Sequence, residues 1–527
     1  MCKLLISLFF FIHLTKSSAS INQALLKEDG DIQYDIPSND PTSIIFRGKG
    51  TLTASIAKAA QNKKKIIIEE GITEIADDAF YRAIWPVTEN QNFTYEEVEL
   101  PRSLVKIGAH AFSISSRELK KVHFPDYKPE VSENDIPEAE LESFYSLREI
   151  GADAFARQPL TNHNIPGTFT EIGTRAFELS HLSHIRLNSK IKNIPAYTFM
   201  GCELLTEIIL PTSLTNISSN AFMNCYSLKK VTWKSSEVKF FGYDAFYGCG
   251  ALEEFEFPPV GSGFQSSGEY FGNCFSLKRC VFPKKLTGTL GPSVFINCGS
   301  LKEVVLPDRT GSIPIEFFMN SSIETAFLPR SVSTIGSRAF KNCKNLKYVY
   351  ITSQTMISAD VDSFAGADNI DKMVFDGNMT DLNPNVFVGK VVCYNGIVNP
   401  QTFTAEAVNT SKTTIYLTRK FREIHLNQNF SPDTSGFEGF PYEIQRGNIC
   451  ALPTPSPPPF SPTEEPSEDD NKKSDESKKS LSTLTIVLIV VSCIAAIAIV
   501  AVVVVVILLI KKKRIPKPIQ DSTNENL

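Results

Sequence analysis

The chain has 527 residues, a formal net charge of −5 and a pI near 5.9. No basic footprint for nucleic acid stands out, and an apolar share of 42% excludes global disorder. The length admits several domains or one elongated, repetitive one.

Residues 1–20, "MCKLLISLFFFIHLTKSSAS", place Lys3 before an apolar run from Leu4 to Leu14 and close on small residues. That is the layout of a secretory signal peptide, with cleavage expected after Ala19 or Ser20. Residues 21–65 fit no repeat and are expected to cap the end of the unit that follows.

Over residues 66–390 a phenylalanine, usually preceded by alanine, recurs thirteen times from Phe80 to Phe387. From Phe155 onward its spacing stays between 22 and 25 residues. "LPRSVSTIGSRAFKNCKNLKYVYI" (Leu328 to Ile351) agrees with "LPTSLTNISSNAFMNCYSLKKVTW" (Leu210 to Trp233) at 12 of 24 positions. The unit reads L-x-x-ϕ-x-ϕ-P, then about five residues, then I-x-x-x-A-F-x-x-C-x-x-L. A fixed period of roughly 20–29 residues with leucine-like anchors is the signature of a leucine-rich-repeat solenoid. The expected fold class is therefore an α/β repeat with one parallel strand per coil. In "LKEVVLP" (Leu301 to Pro307), Leu301, Val304 and Leu306 are expected to point inward and Lys302, Glu303 and Val305 outward. Proline ends the strand because it removes a donor. "IGSRAF" then returns on the far side with Ile335, Ala339 and Phe340 in the core. Each coil buries its apolar face only against its neighbours, so every coil solves the same packing problem.

The Phe80–Phe112 and Phe112–Phe155 intervals stretch to 32 and 43 residues, so extra loops leave the early coils. The second loop contains the acidic "DYKPEVSENDIPEAELES". It lacks the ordered oxygen spacing of a calcium loop and reads as a solvated loop. "GSGFQSSG" (Gly261 to Gly268) lacks the strand-to-helix context of a phosphate site and also reads as a loop. His181 and His184 stand three apart, a weak metal signal. No H-E-x-x-H, G-x-S-x-G or P-loop string occurs, so no enzyme activity and no cofactor are expected.

Cys202, Cys225, Cys249, Cys274, Cys298 and Cys343 each follow the phenylalanine by three residues. They should form a column whose neighbours are close enough for disulfides in principle, although equivalent positions favour buried free thiols. Cys280 replaces a core strand residue. Cys393 and Cys450 flank the expected C-terminal cap, 391–450, and are the pair expected to form a disulfide. Sequons at Asn92, Asn216, Asn320, Asn378, Asn409 and Asn429 are candidate N-glycosylation sites, with Pro432 weakening the last. Residues 451–483 begin rich in proline and end charged, as expected of a disordered stalk. Residues 484–510 include 25 uncharged residues from Ile486 to Ile510, enough for one transmembrane helix. Lys511, Lys512, Lys513 and Arg514 open a short tail, 511–527, expected to be cytoplasmic. A single-pass type I protein of the plasma membrane is the expected layout, with its ectodomain outside the cell.

The outward strand position between the two core residues reads His123, Arg186, Ile209, Thr232, Glu256, Val281, Val305, Phe327, Tyr350 and Val374. From Val281 to Val374 it is apolar, and Tyr348 adds a second aromatic. This stripe is the candidate ligand-binding face, since contiguous exposed apolar surface marks partner sites. The strand preference of β-branched and aromatic residues explains the same pattern without a ligand.

At "AFKNCKNLKYV", "AFMNCYSLKKV" and "VFINCGSLKEVVLP" the sequence resembles the BspA-like leucine-rich repeats, also called Treponema-pallidum-type repeats. The order of signal, repeats, stalk, span and tail is similar to that of the BspA-like transmembrane surface proteins of trichomonads. The resemblance implies a right-handed solenoid and a surface adhesin that binds host-cell, matrix or microbial ligands, whether protein or glycan. It supplies no catalytic residue. A receptor signalling through an associated protein and a passive antigenic coat glycoprotein are the alternatives.

Overall fold

The computed structural model describes residues 32–451, apart from 82–94, 114–118, 127–135, 164, 236, 258–259, 267, 284–285, 287–288, 354, 399–401, 404, 409–411, 427–441 and 446–448. The expected signal peptide, the stalk beyond Ala451, the span and the tail lie outside the described residues. Among the described residues no helix is long and apolar enough to cross a membrane.

The L-x-x-ϕ-x-ϕ stretches pair in parallel, rung on rung, along what we call the front ribbon. Ile44, Ile66, Val98 and Val122 stand opposite one another in register, as do Phe255, Cys280 and Val304. Ala326, Val349, Met373, Val392 and Ile415 continue the same inward column. The period-2 alternation of a strand keeps these positions inside, and a slip of one residue would turn all of them out. A second parallel ladder forms the back ribbon, where Ile75, Ile107, Ile150 and Ile172 align, and Ile313, Ile335 and Ala359 align further on.

Each regular coil thus carries two short strands where the sequence suggests one. Helices among the described residues are short, at Ala54–Ala57, Glu138–Phe144 and Arg419–Leu426, with two single 3-10 turns. The molecule is a parallel-strand β-solenoid of about 14 coils, and the α/β label is corrected accordingly. "GSGFQSSG" is no loop either, because Val260–Ser266 is a back-ribbon strand paired with Val238–Phe241 across a bulge.

Both expected caps contain rungs of their own. Ser43–Arg47 pairs in parallel with Lys65–Ile68, and Val391–Tyr394, Thr414–Leu417 and Tyr442–Ile444 extend the front ribbon beyond residue 390. At the N-terminal end Gln33–Asp35 lies antiparallel on Ser43–Arg47 and covers its open edge.

The core is a column of phenylalanine rings. From Phe80 to Phe364 each ring stacks on the next, with centroids 5.0–6.1 Å apart and planes within 24°. Stacking at this spacing requires the backbone to bring each ring to the same place, and two left-handed residues flank it. The residue two before the phenylalanine has φ between +51° and +61° in every repeat coil, although it is Asp, His, Arg, Tyr, Asn, Glu or Ser and never Gly. The residue two after it is also left-handed from Arg157 to Gly366, here mostly Asn or Gly. Left-handed φ costs a non-glycine residue about 1–2 kcal/mol. The return is a third ladder of backbone bonds: Asn220, Phe222 and Asn224 donate to the carbonyls of Tyr243, Ala245 and Tyr247 in the next coil at 2.8, 2.9 and 2.7 Å.

The column cysteines belong to this ladder. All are buried and free, and each thiol donates to the phenylalanine carbonyl of the preceding coil, as from Cys225 to Phe199 at 3.1 Å and from Cys298 to Phe271 at 3.0 Å. Ser180 and Ser321 occupy the same place in other coils, and Ser180 uses its hydroxyl on its own Phe177 carbonyl. Burial pushes the Cys202 and Cys274 thiols up to about 12, so they stay protonated donors. Asparagines at the second left-handed position form a side-chain ladder, Asn342 to Asn320 to Asn297 to Asn273, at 2.8–3.0 Å.

One left-handed position is poorly satisfied. Asp244 is largely buried and its Oδ1 has no hydrogen-bond partner. Burial first, and the neighbouring Glu269 second, push its carboxyl up to about 7. A carboxyl raised in the folded state contributes stability that is whole below its unfolded value and is lost as pH rises through about 7. Asp244→Asn should therefore raise the melting temperature more at pH 8 than at pH 4, because Asn220 and Asn385 already fill the equivalent place in other coils. A gain independent of pH, measured by thermal unfolding, would refute this reading.

Candidate functional site

The outward positions of the front ribbon fall into three regions. Over the first rungs they are charged and mutually paired. The Lys65 ammonium lies 2.9 Å from Glu97 and 2.5 Å from Glu99, and Lys121 lies 3.6 Å from Glu97. Glu99 above all, then Glu97, hold the Lys65 ammonium above its ordinary range. Such exposed pairs contribute well under about 1 kcal/mol each, and the outward Ile45 and Ile67 beside them are half-buried.

The middle region is roofed. The acidic insertion read as a solvated loop instead docks on the ribbon through the helix Glu138–Phe144. The Glu138 carboxylate accepts from the Ser189 backbone N–H at 3.1 Å and the Ser189 hydroxyl at 2.9 Å. Glu142 accepts from Lys190 at 2.7 Å and from Asn188 at 3.1 Å, and these two donors hold its carboxyl low. Arg186 donates to the Ile136 carbonyl at 2.9 Å. It does so by lying across Gly167, where a Cβ would meet the Arg186 Cγ at 2.6 Å. Between roof and ribbon lies a cavity of about 370 Å³ lined by Arg186, Ile209, Glu207, Lys234 and His184 among others. Arg186 and Ile209 belong to the outward column read from sequence. His181 is absent from the lining, and among the described residues no group of three or more His, Cys, Asp or Glu could hold a metal.

The last region is aromatic. Phe327, Tyr350, Val374, Cys393 and Tyr416 stand in one outward column, opposite one another across successive rungs. Phe327 is 56% exposed and Tyr348 39%. The Phe327 and Tyr350 rings stack at 4.8 Å, and the Tyr348 ring lies 6.4 Å from that of Tyr350. Tyr350 and Val374, expected to be exposed, are buried at 6% and 0%. Their cover is a strap of the chain at Ile449–Cys450: Tyr350, Val374, Cys393 and Cys450 form a small apolar cluster of their own, with Val391, Tyr416 and Ile449 against it. The Cys393–Cys450 disulfide ties this strap down, Cα to Cα 5.7 Å. Val281 and Val305 are half-buried. Val281 pairs with Val305 in one outward run, and Phe327, Tyr350 and Val374 stand in another; of these and Tyr348, Phe327 and Tyr348 are exposed and Val281 and Val305 partly accessible. Cys393 and Tyr416 continue the column, and the alternation in "VVCY" and "TIYL" could have revealed them.

Of the sequons, Asn92, Asn409 and Asn429 lie outside the described residues. The Asn320 Nδ2 donates within the asparagine ladder at 2.8 Å, and that is the atom a glycan would take. The Asn216 Nδ2 donates to Asn193 at 2.7 Å on an exposed surface. The Asn378 Oδ1 accepts from the Ile397 N–H at 2.7 Å.

This geometry agrees with what related sequences show. The model of the BspA type leucine rich repeat region matches at residues 53–134, 89–146, 148–268 and 265–392, with six copies in all. The chain belongs to this family. No curated protein matches it. Among solved structures, a leucine-rich repeat protein from Bacteroides ovatus is similar at 19% identity and TM-score 0.53, covering 80% of this chain and all of its own. That likeness supports the fold. A leucine-rich cell surface protein from Faecalibacterium prausnitzii matches at 18% identity and TM-score 0.36, over 68% of this chain and 96% of its own. The pneumococcal vaccine antigen PcpA matches at 16% and 0.36, over 81% and 100%.

Tyr350→Ser should lower the unfolding free energy by about 3 kcal/mol, as expected for emptying a packed aromatic site. Phe327→Ser should change it by no more than about 0.5 kcal/mol. Equal losses in urea titrations of the two variants would contradict the strap's cover over Tyr350.

Proposed function

We propose that the protein is a non-enzymatic, surface-exposed adhesin that engages an extracellular ligand through the front ribbon. The observation that carries this reading is the exposed aromatic pair Phe327 and Tyr348, seated on a rigid ladder beside the covered Tyr350 and Val374. Tyrosine and phenylalanine at such a place are typical interface anchors. The coils beneath are fixed by stacking and by hydrogen bonds, so the pair is pre-organised and loses little freedom on binding. The cavity beside Arg186 and Ile209 offers a second contact region on the same ribbon.

The Cys393–Cys450 disulfide supports an oxidising compartment, in keeping with the signal peptide and span read from sequence. The same reading places the chain in the plasma membrane as a single-pass type I glycoprotein, ectodomain outside, with host cells, matrix or other microbes as the surfaces it meets.

The test displays the full chain and its Phe327→Ser/Tyr348→Ser variant at equal surface density on a non-adherent cell. Adhesion to host cells or to immobilised matrix proteins should fall about tenfold or more in the variant, the usual effect of removing interface anchors. Unchanged adhesion would contradict the reading, and no adhesion by either chain would favour a passive coat protein.

A further inference from the structure

The strap shows how the front ribbon holds a peptide. After Tyr442–Ile444, the last described rung, Gln445 donates its backbone N–H to the Leu417 carbonyl at 3.0 Å. Cys450 is then bonded to Cys393 on Val391–Tyr394, two rungs back, and the Ala451 carbonyl accepts from Lys372 one rung further back, at 3.5 Å. From Cys450 to Ala451 the chain therefore steps across the strands, from the Cys393 rung to the Lys372 rung. On the Lys372 rung the pattern it meets is a side-chain donor, Lys372, one intervening residue, and an apolar seat, Val374.

That pattern is repeated on the two rungs directly ahead. Tyr348 stands in register with Lys372 and Tyr350 with Val374, while Thr325 stands in register with Tyr348 and Phe327 with Tyr350. Each of these rungs presents a hydroxyl donor, then an apolar residue two positions on. The covered surface and the open surface are continuous, because Phe327 stacks on the same Tyr350 ring that joins the strap's cluster. Of the nearby charges, Arg279 pairs with Glu303 at 3.4 Å and Lys302 with Glu324 at 3.6 Å, while Lys347 beside Tyr348 is exposed.

We infer that the rungs Thr325–Leu328 and Tyr348–Ile351 bind an extended, apolar peptide segment of a partner protein, laid across the strands in line with the chain's own Ile449–Ala451. Apolar side chains of the peptide seat on Phe327 and beside Tyr350, and its carbonyls accept from the Tyr348 and Thr325 hydroxyls, as the Ala451 carbonyl accepts from Lys372. The inference rests on the adhesin reading and names the ligand class for its aromatic site.

The probe is a phage-displayed library of linear peptides, panned on cells carrying the full chain, with an array of free glycans applied to the same cells. Linear peptides with two or more apolar residues and little charge should be enriched. Their binding should fall about tenfold or more in Phe327→Ser, and severalfold in Tyr348→Phe and in Thr325→Val, which remove only the donors. Lys239→Ala, exposed on the back ribbon, should leave it unchanged. Failure to enrich linear peptides, or enriched peptides that bind Phe327→Ser equally well, would overturn the inference. Glycan binding lost in Phe327→Ser without any peptide binding would overturn the peptide class while keeping the adhesin reading. Self-association of the chain lost in Phe327→Ser, again without peptide binding, would overturn it in favour of a second copy.

Discussion

Each coil must deliver its phenylalanine to the same height and tilt as the coil before, and the rest of the molecule follows from that constraint. Rings stacked 5.0–6.1 Å apart over the whole run from Phe80 to Phe364 leave little freedom of register. The backbone meets the demand with left-handed residues on either side of the ring and a ladder of N–H groups donated to the next coil. The six column thiols are part of the same solution, because each one donates to a carbonyl of the coil before. A small apolar side chain that is also a weak donor fits that place, and so does serine.

A core settled so completely by repetition leaves the outer face free to vary, and the ribbon differs along its length. Paired charges occupy the first rungs, a helical roof encloses the middle, and aromatic residues occupy the end. Two segments leave the rung pattern and fold back, the insertion at Glu138–Phe144 and the strap at Ile449–Ala451, and both land on the front ribbon. Each covers outward residues that the rung pattern alone would leave in solvent. The exposed aromatic residues Phe327 and Tyr348 stand on a rigid support, which is the arrangement an interface anchor needs.

The parts of this structure legible in the sequence are those decided within one coil. The phenylalanine period, the inward and outward strand positions, Cys280 in the place of Phe255 and Val304, and the equivalence of the six column cysteines all follow from local spacing. The burial of Tyr350 and Val374 was not legible, because the residue that covers them, Cys450, lies on a strap outside the repeat. The docked insertion was hidden for the same reason, since Glu138 meets Ser189 51 residues away. The left-handed position before each phenylalanine carries only a weak composition signal, since Asp, Asn and His fill seven of its thirteen places and glycine none. The rungs inside the expected caps were missed because Ser43–Arg47 and Thr414–Leu417 keep the strand alternation but belong to no Ala-Phe unit.

Native-state alkylation, followed by peptide mapping, tests the central claim most directly. If the coils stack in register, an alkylating reagent leaves Cys202, Cys225, Cys249, Cys274, Cys280, Cys298 and Cys343 unmodified in the folded chain and labels all seven once it is unfolded, with Cys393 and Cys450 protected until reduction. Rapid labelling of the column in the folded chain, or disulfides joining its members, would contradict the account.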